Sequence, residues 1–483
     1  MVNKLNKQTG HYRFTAAIIM AVIFSMASCK KYVTVDPPTA NVSGASVFTN
    51  EKTAAAVLTN IYAGMAQQNT AIRGQGLTCL SLMGSLLADE LTLFDLNDPK
   101  LSPYYTNDLT TASPYNFWNT VYPDLFVVNA AIEGLNSSGI TPVIKQQLLG
   151  EAYFLRGFFY YYLQNLYGDV PLVTTTNYKI NAVMPRTASE KVYEQVIADL
   201  LMAKQLLSEE FLDAYAYNPD ANRVRPTRWA ATALLARVYL TTGKYAEAIA
   251  EASIVINNTA RFKLKPLNDV FKMNSDEAIW QLQPVGAGLF ANTGEGALFI
   301  LPANGPNILY NPVYLSRQFI GSFEATDQRK SNWTDTVITS SDTFYFAYKY
   351  KIGQVSSATK EYIMVLRLAE QFLIRAEAYA QLGKTTEAAT DLNAIRQRAG
   401  LSPTSAATPQ ELLTAILHER KVELFTEWGH RWFDLKRTNS LDAVMSTATA
   451  AKGGTWQPTS GVFPIPQEEI ERNPNMVQNP GYF

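Results

Sequence analysis

Acid–base, metal and nucleophilic chemistry all draw on histidine, and this chain has 3 in 483 residues: His11, His418 and His430. His418-Glu419 opens like the His-Glu-x-x-His zinc-protease motif, but the position one helical turn on is Val422. A Ser/His/Asp triad would have to use one of the same histidines, and no Gly-x-Ser-x-Gly or Gly-x-Gly-x-x-Gly occurs. Gly383-Lys384-Thr385 ends like a phosphate-binding loop, yet Ala378 stands where the upstream glycine belongs. Neither a metal nor a cofactor is expected. Carboxylates remain: Asp89-Glu90 or Asp434 could flank a sugar as glycosidases require. With 42 acidic residues such pairs also arise by chance, so a glycan hydrolase stands only as an alternative.

Cysteine chemistry is confined to Cys29 and Cys79. Met26-Ala27-Ser28-Cys29 places small residues directly before a cysteine and resembles a lipobox. Upstream, Lys4, Lys7 and Arg13 form a basic stretch, followed by the apolar run Phe14–Phe24. That run is too short for the ~30 Å hydrocarbon core, which takes ~20 helical residues, but it suits a signal-peptide core. The expectation is a signal peptide over 1–28 and a diacylglycerol on Cys29. A tether over 29–43, with Pro37-Pro38, then leads to a body over 44–483. A lipidated Cys29 leaves no intrachain disulfide. Without residues 1–28 there are 38 Lys+Arg against 42 Asp+Glu, a net charge of −4 with no basic run. That speaks against a nucleic-acid partner.

These groups must be positioned by helices. Apolar residues recur at helical spacing over 46–67, 117–135, 142–167, 190–207, 227–241, 245–256, 366–382, 386–398 and 409–428. Pro142 opens the third and Gly168 closes it, as helix starts and stops require. Aromatics reach 12%, including the run Phe158-Phe159-Tyr160-Tyr161-Tyr162, and composition alone leaves core filling and a stacking surface both open. Ala236, Tyr239, Gly243, Lys244, Glu247 and Ala248 recur as Ala376, Tyr379, Gly383, Lys384, Glu387 and Ala388, at a constant offset of 140. Helix, Gly-Lys turn, helix resembles the tetratricopeptide hairpin. The copies are far apart in sequence, so a regular solenoid is not expected. The fold class is therefore mainly α: tetratricopeptide-like hairpins in one globular body with long loop insertions and a small β-hairpin region. The main insertion runs over about 284–352. It is rich in Gly, Pro and Asn at first and alternates like a hairpin over Thr336–Thr339 and Thr343–Tyr350. A second interruption is Thr92–Pro114. Loops this long are usually functional or disordered.

The densest charged cluster is Glu419-Arg420, Glu423, Glu427, His430-Arg431, Asp434 and Arg437, interleaved with Leu424, Phe425, Trp428, Trp432 and Phe433. An internal ion-pair lattice is the favoured reading, ahead of a binding patch, since Arg and carboxylate suit buried pairing.

The same residues carry a family resemblance. A Glu-Arg helix continues into Glu423-Leu424-Phe425-Thr426-Glu427-Trp428-Gly429-His430-Arg431-Trp432-Phe433-Asp434, and Arg396-Gln397-Arg398-Ala399-Gly400-Leu401 precedes it. The chain closes with Phe463-Pro464-Ile465-Pro466, Asn473-Pro474-Asn475 and Asn479-Pro480-Gly481-Tyr482. This resembles the SusD/RagB family of Bacteroidetes outer-membrane nutrient-binding lipoproteins, over nearly the whole body. The resemblance implies a non-catalytic lipoprotein on the outer face of the outer membrane. Such a protein captures oligosaccharides, or in some members peptides, for a SusC-like TonB-dependent transporter. Family ligand residues vary too much to be carried over. The aromatics of the two interruptions are therefore the candidates, because sugar rings stack on them: Tyr104 and Tyr105 in the first, Tyr310 and Trp333 in the second. A periplasmic helical-repeat scaffold is a further alternative.

Overall fold

The computed structural model describes residues 47–67, 79–113, 117–340 and 342–482. The expected signal peptide, the tether and Cys29 lie outside those residues. The body opens with α1 (Glu51–Ala66), whose N-terminus is capped by Asn50: its side-chain oxygen accepts the amides of Lys52 and Thr53. Then follow α2 (Cys79–Leu87), α3 (Phe117–Asn136), α4 (Pro142–Tyr167), α5 (Ser189–Leu206), α6 (Arg228–Thr241) and α7 (Tyr245–Ile256). After the insertion come α8 (Leu368–Gln381), α9 (Thr385–Arg398), α10 (Pro409–Glu423), α11 (His430–Arg437) and α12 (Leu441–Ala451).

From α3 to α10 each helix packs on the next in sequence. This includes α7 on α8, although the whole insertion separates them in the chain. The two related hairpins are therefore neighbours in space, packed in one body with the insertion between them in sequence, as expected. The reason lies in β2 (Ala278–Leu282) and β6 (Ile363–Arg367), which pair antiparallel and return the chain to the point where it left. The hairpin turns repeat as closely as the sequences do. Gly243 and Gly383 both take φ +72, and Lys244 and Lys384 both donate their amides to the tyrosine carbonyl five residues back. Beyond its exposed first turn α4 is covered along most of its length, and its aromatic run is core: Phe158, Phe159, Tyr160, Tyr161 and Tyr162 are all buried. Phe154 and Phe158 meet Trp280 edge-on at centroid distances of 5.0 and 5.4 Å.

One expected helix is cut short. The spacing over 409–428 ends as a helix at Glu423, and a new one begins at His430. Between them Thr426, Trp428 and Gly429 all have positive φ. For a threonine and a tryptophan this costs of order 1–3 kcal/mol each, so contacts from elsewhere must hold the break. The Trp428 indole donates to the Met364 carbonyl at 2.7 Å, and its amide to Ser81 Oγ at 3.2 Å. Gly429 lies against Gly84 of α2, where a Cβ would fall 2.4 Å from the Gly429 Cα.

The insertion builds a four-stranded antiparallel sheet in the order β1-β3-β5-β4. β4 (Thr334–Ile338) and β5 (Thr343–Ala347) form the expected hairpin. β3 (Val313–Leu315) joins its edge, and β1 (Leu91–Leu93) comes from the first interruption. The two interruptions thus form one structure. Among the described residues no helix is long and apolar enough to cross a membrane.

Candidate binding surface

The sheet is moored to the helical stack by buried charge. Arg329, just before β4, donates to Asp327 at 2.8 Å and lies 2.7 and 2.9 Å from Glu419 and Glu423 of α10. Lys349, just after β5, donates to Glu427 at 2.5 Å and to the carbonyls of Glu423 and Phe425. Arg367, at the end of β6, bridges Glu277, Glu423 and Glu427, and Arg398 of α9 joins Glu277 and Glu423. Burial alone would raise the Glu423 carboxyl, but Arg398, Arg367 and Arg329 outweigh it and hold it below the ordinary carboxylate range. The charged cluster of the sequence is therefore an internal lattice. Its other members are paired as well: Arg420 with Asp434 at 2.7 Å, and Arg437 with Glu377 and Asp434. Asp89, considered above as a glycosidase carboxylate, is buried and held by Arg431 and Lys421 at 2.8 and 2.9 Å. Asp434 is likewise buried, between Arg420 and Arg437. Burial drives His430 down to about 4 against the opposing pull of Glu370, so it is neutral at physiological pH.

On this mooring the sheet presents two unlike faces. Leu91, Leu93, Val313 and Leu315 are buried. Alternation turns Thr92, Tyr314, Phe344 and Phe346 to the other side. There Thr92 stands opposite Tyr314 and Val337 opposite Phe344. Phe344 and Phe346 are buried there under the 300–312 loop, and the Phe344 ring supports Tyr314 edge-on at 5.1 Å and Phe94 at 6.3 Å. Leu301 packs on the same cluster. Phe94 is 44% exposed.

Above it the 300–312 loop ends in a braced tip. Asn307 accepts the amides of Leu309 and Tyr310, and the Asn311 side-chain amide donates to the carbonyls of Ala297, Leu298 and Ile300. Ile308, Leu309 and Tyr310 are exposed on this tip.

The four aromatics named from sequence fall in different places. Tyr310 is 45% exposed on the tip. Tyr105 is largely covered, its hydroxyl bonded to the Thr92 side chain close to Tyr314. Tyr104 and Trp333 are buried and do not reach the sheet's outer face: Tyr104 packs edge-on to Phe463, and Trp333 donates its indole N–H to the Leu267 carbonyl. Trp333 instead covers the lattice, with Lys349 Nζ 5.0 Å from its ring centre and Arg398 at 5.4 Å. These two are structural residues, because a ring enclosed on all sides offers no face to a ligand. Phe94 and Tyr314, which rest on the buried Phe344, were missed. The one sequence signal nearby was the alternation along β5, and β1 and β3 are too short to read.

The class of fold is a helical-hairpin stack carrying an inserted antiparallel sheet. The family model described as SusD family matches residues 311–482, and one described as "Starch-binding associating with outer membrane" matches 41–240. The chain belongs to the SusD/RagB family. It is similar to SusD-like protein P2 of Formosa agariphila, 27% identical over 419 residues, spanning 76% of this chain and 80% of that one. A SusD superfamily protein from Bacteroides vulgatus shares the fold with a TM-score of 0.77 at 20% identity, over 90% of this chain and 100% of that one. A structure described as a laminarin binding SusD-like protein aligns with a TM-score of 0.74 at 22% identity, again over 90% and 100%.

Proposed function

We propose that the protein captures a glycan outside the cell and passes it to a TonB-dependent barrel transporter, acting by binding without bond cleavage. The observation that carries this reading is the outer sheet face, where exposed Phe94 and half-buried Tyr314 rest edge-on against the buried ring of Phe344, beside the braced tip with exposed Tyr310. Sugar rings have apolar C–H faces that stack on such rings, while their hydroxyls need polar neighbours. Thr92, opposite Tyr314, and the exposed Asp335 supply these around the aromatic patch. The starch-binding description of the family model and the laminarin-binding relative support the same ligand class. A lipid on Cys29 would keep the protein at the outer membrane.

The test is calorimetric titration of the purified full chain with soluble neutral glucans and other oligosaccharides. Phe94→Ala with Tyr310→Ala should weaken binding at least tenfold, about 1.4 kcal/mol, with the far-ultraviolet dichroism unchanged. Binding equal to wild type in that double variant would reject the sheet face as the site.

A further inference from the structure

A second concavity lies on elements that contribute nothing to the sheet. The loop between α5 and α6 folds back on itself: the Asp213 amide donates to the Asn218 carbonyl and the Asp220 amide to Phe211, both at 2.9 Å. At its tip Ala216 is buried with φ +60. A non-glycine residue is uncommon there, and the twist turns its neighbours outward. Tyr215 and Tyr217 are 54% and 56% exposed. The Asp213 carboxylate accepts both tyrosine amides, at 3.0 and 3.2 Å, and the Asn218 side-chain amide at 2.8 Å. The rings therefore stand on a fixed support. Behind this loop, α1 and the chain leaving β2 enclose a cleft of about 670 Å³, lined among others by Tyr62, Ala63, Asp220, Asn222 and Gln283. That volume is within the range of small-molecule sites.

The charge in the cleft is already committed. Arg225 donates to Glu151 and to Thr59 Oγ1, each at 2.6 Å, and to the carbonyls of Asp213 and Ala214. Glu151 also takes the Tyr62 hydroxyl at 2.8 Å. An ionic ligand would have to break this buried pair, which is strongly unfavourable. Asp220 and Asn222 are hydrogen-bonded to each other, and Asn222 also accepts from Asn274. What remains on the walls is the Gln283 carboxamide and apolar surface, with two phenol rings on the adjoining loop tip, Tyr215 with Lys52 Nζ 5.6 Å from its ring centre. Those groups suit the alternating C–H faces and hydroxyls of an uncharged sugar chain.

The geometry points to a second subsite here for a neutral oligosaccharide, with Tyr215 and Tyr217 as its stacking rings. It rests on the reading that the sheet's ligand is a glycan, and it adds a consequence. A chain long enough to touch both sites is held bivalently, and its affinity exceeds that of either site alone. A short oligosaccharide gains nothing.

The full-length protein in detergent is titrated with neutral glucans of increasing length and with the parent polymer. Wild type is compared with Tyr215→Ala/Tyr217→Ala, with Gln283→Ala, and with Phe94→Ala/Tyr310→Ala. The tyrosine pair is exposed, so thermal unfolding should match wild type. The expected result is a tenfold or greater loss of polymer affinity in the tyrosine variant and a smaller loss in Gln283→Ala. Short oligosaccharides should still bind the tyrosine variant at the sheet. The Phe94/Tyr310 variant should retain weak binding that the added tyrosine changes abolish. Wild-type affinity at every chain length in the tyrosine variant overturns the second subsite and leaves the first standing. A wild-type protein that binds peptides and no glycan overturns both.

Discussion

At the scale of single residues, the lattice beneath the sheet shows why one kind of charge–aromatic cluster is a binding patch and another is a keel. Every carboxylate on α10 that faces inward meets a guanidinium or ammonium, so the cost of desolvation is offset only while the set is complete. Arg367→Met should therefore destabilise by about 3–5 kcal/mol, read as a lowered urea midpoint with an unchanged slope. A loss within 0.5 kcal/mol (roughly the scatter of surface substitutions) would show that the lattice is not a stabilising unit. Glu295, buried at the base of the insertion, behaves oppositely: burial, reinforced by the nearby Glu427, pushes it up to about 7. The unfolded chain releases that proton near pH 4.5, its ordinary value. Stability on its account is full below that pH, falls as pH rises toward about 7 and is flat above. Glu295→Gln should raise stability at pH 8 by at most about 3 kcal/mol and leave pH 4 unchanged. Denaturation curves at the two pH values decide it, and an unaltered pH slope would count against the assignment. Reading from sequence succeeded for the lattice, because Glu, Arg and Trp at helical spacing suit pairing. It failed for Trp333 and Tyr104, because a loop aromatic looks the same whether it faces solvent or, as Trp333 does, roofs three cations.

At the scale of elements, legibility followed the origin of each boundary. α4 begins at Pro142 and ends before Gly168, as its own residues dictate. The paired hairpins were readable for the same reason, since Gly243 and Gly383 encode the turn locally. The end of α10 was not, because the break at Thr426–Gly429 is imposed by α2 and β6, which are distant in sequence. β1 and β3 are three residues each, and Leu93 finds its partner at Val313. No local pattern records such a pairing. The α2–α11 junction offers a direct check. Gly84→Ala would place a methyl 2.4 Å from the Gly429 Cα, and backbone cannot yield as a flexible side chain does. We expect about 1–3 kcal/mol of destabilisation or more, measured as a drop in thermal midpoint. An unchanged midpoint would mean that the two helices do not approach so closely.

At the scale of the whole molecule, the proposed role needs an anchor and a partner. Two acyl chains at ~0.8 kcal/mol per buried CH₂ suffice for stable retention where one is marginal. Cys29→Ala should leave the protein released or unprocessed, and wild-type membrane retention with the signal removed would refute the anchor. A body with a net charge of −4 beyond residue 28 (38 basic against 42 acidic) has little long-range steering. Docking on a barrel should therefore rely on a broad mixed surface, aided by confinement of both partners in one membrane. Gentle detergent extraction and affinity purification should bring down a large barrel protein at moderate salt, and repeated recovery of the tagged protein alone would favour an independent surface binder. The pairing of β2 with β6 bears on how such proteins diversify. Leu282 sits opposite Ile363, so everything between them leaves and re-enters the stack at one point. Seen this way the insertion is a cassette, replaceable without changing the register of any helix. A successful graft must meet two conditions: it must supply an edge for β1 to pair with, and it must bring its own counterparts of Arg329 and Lys349, or it leaves Glu419, Glu423 and Glu427 short of positive charge in the dry interior.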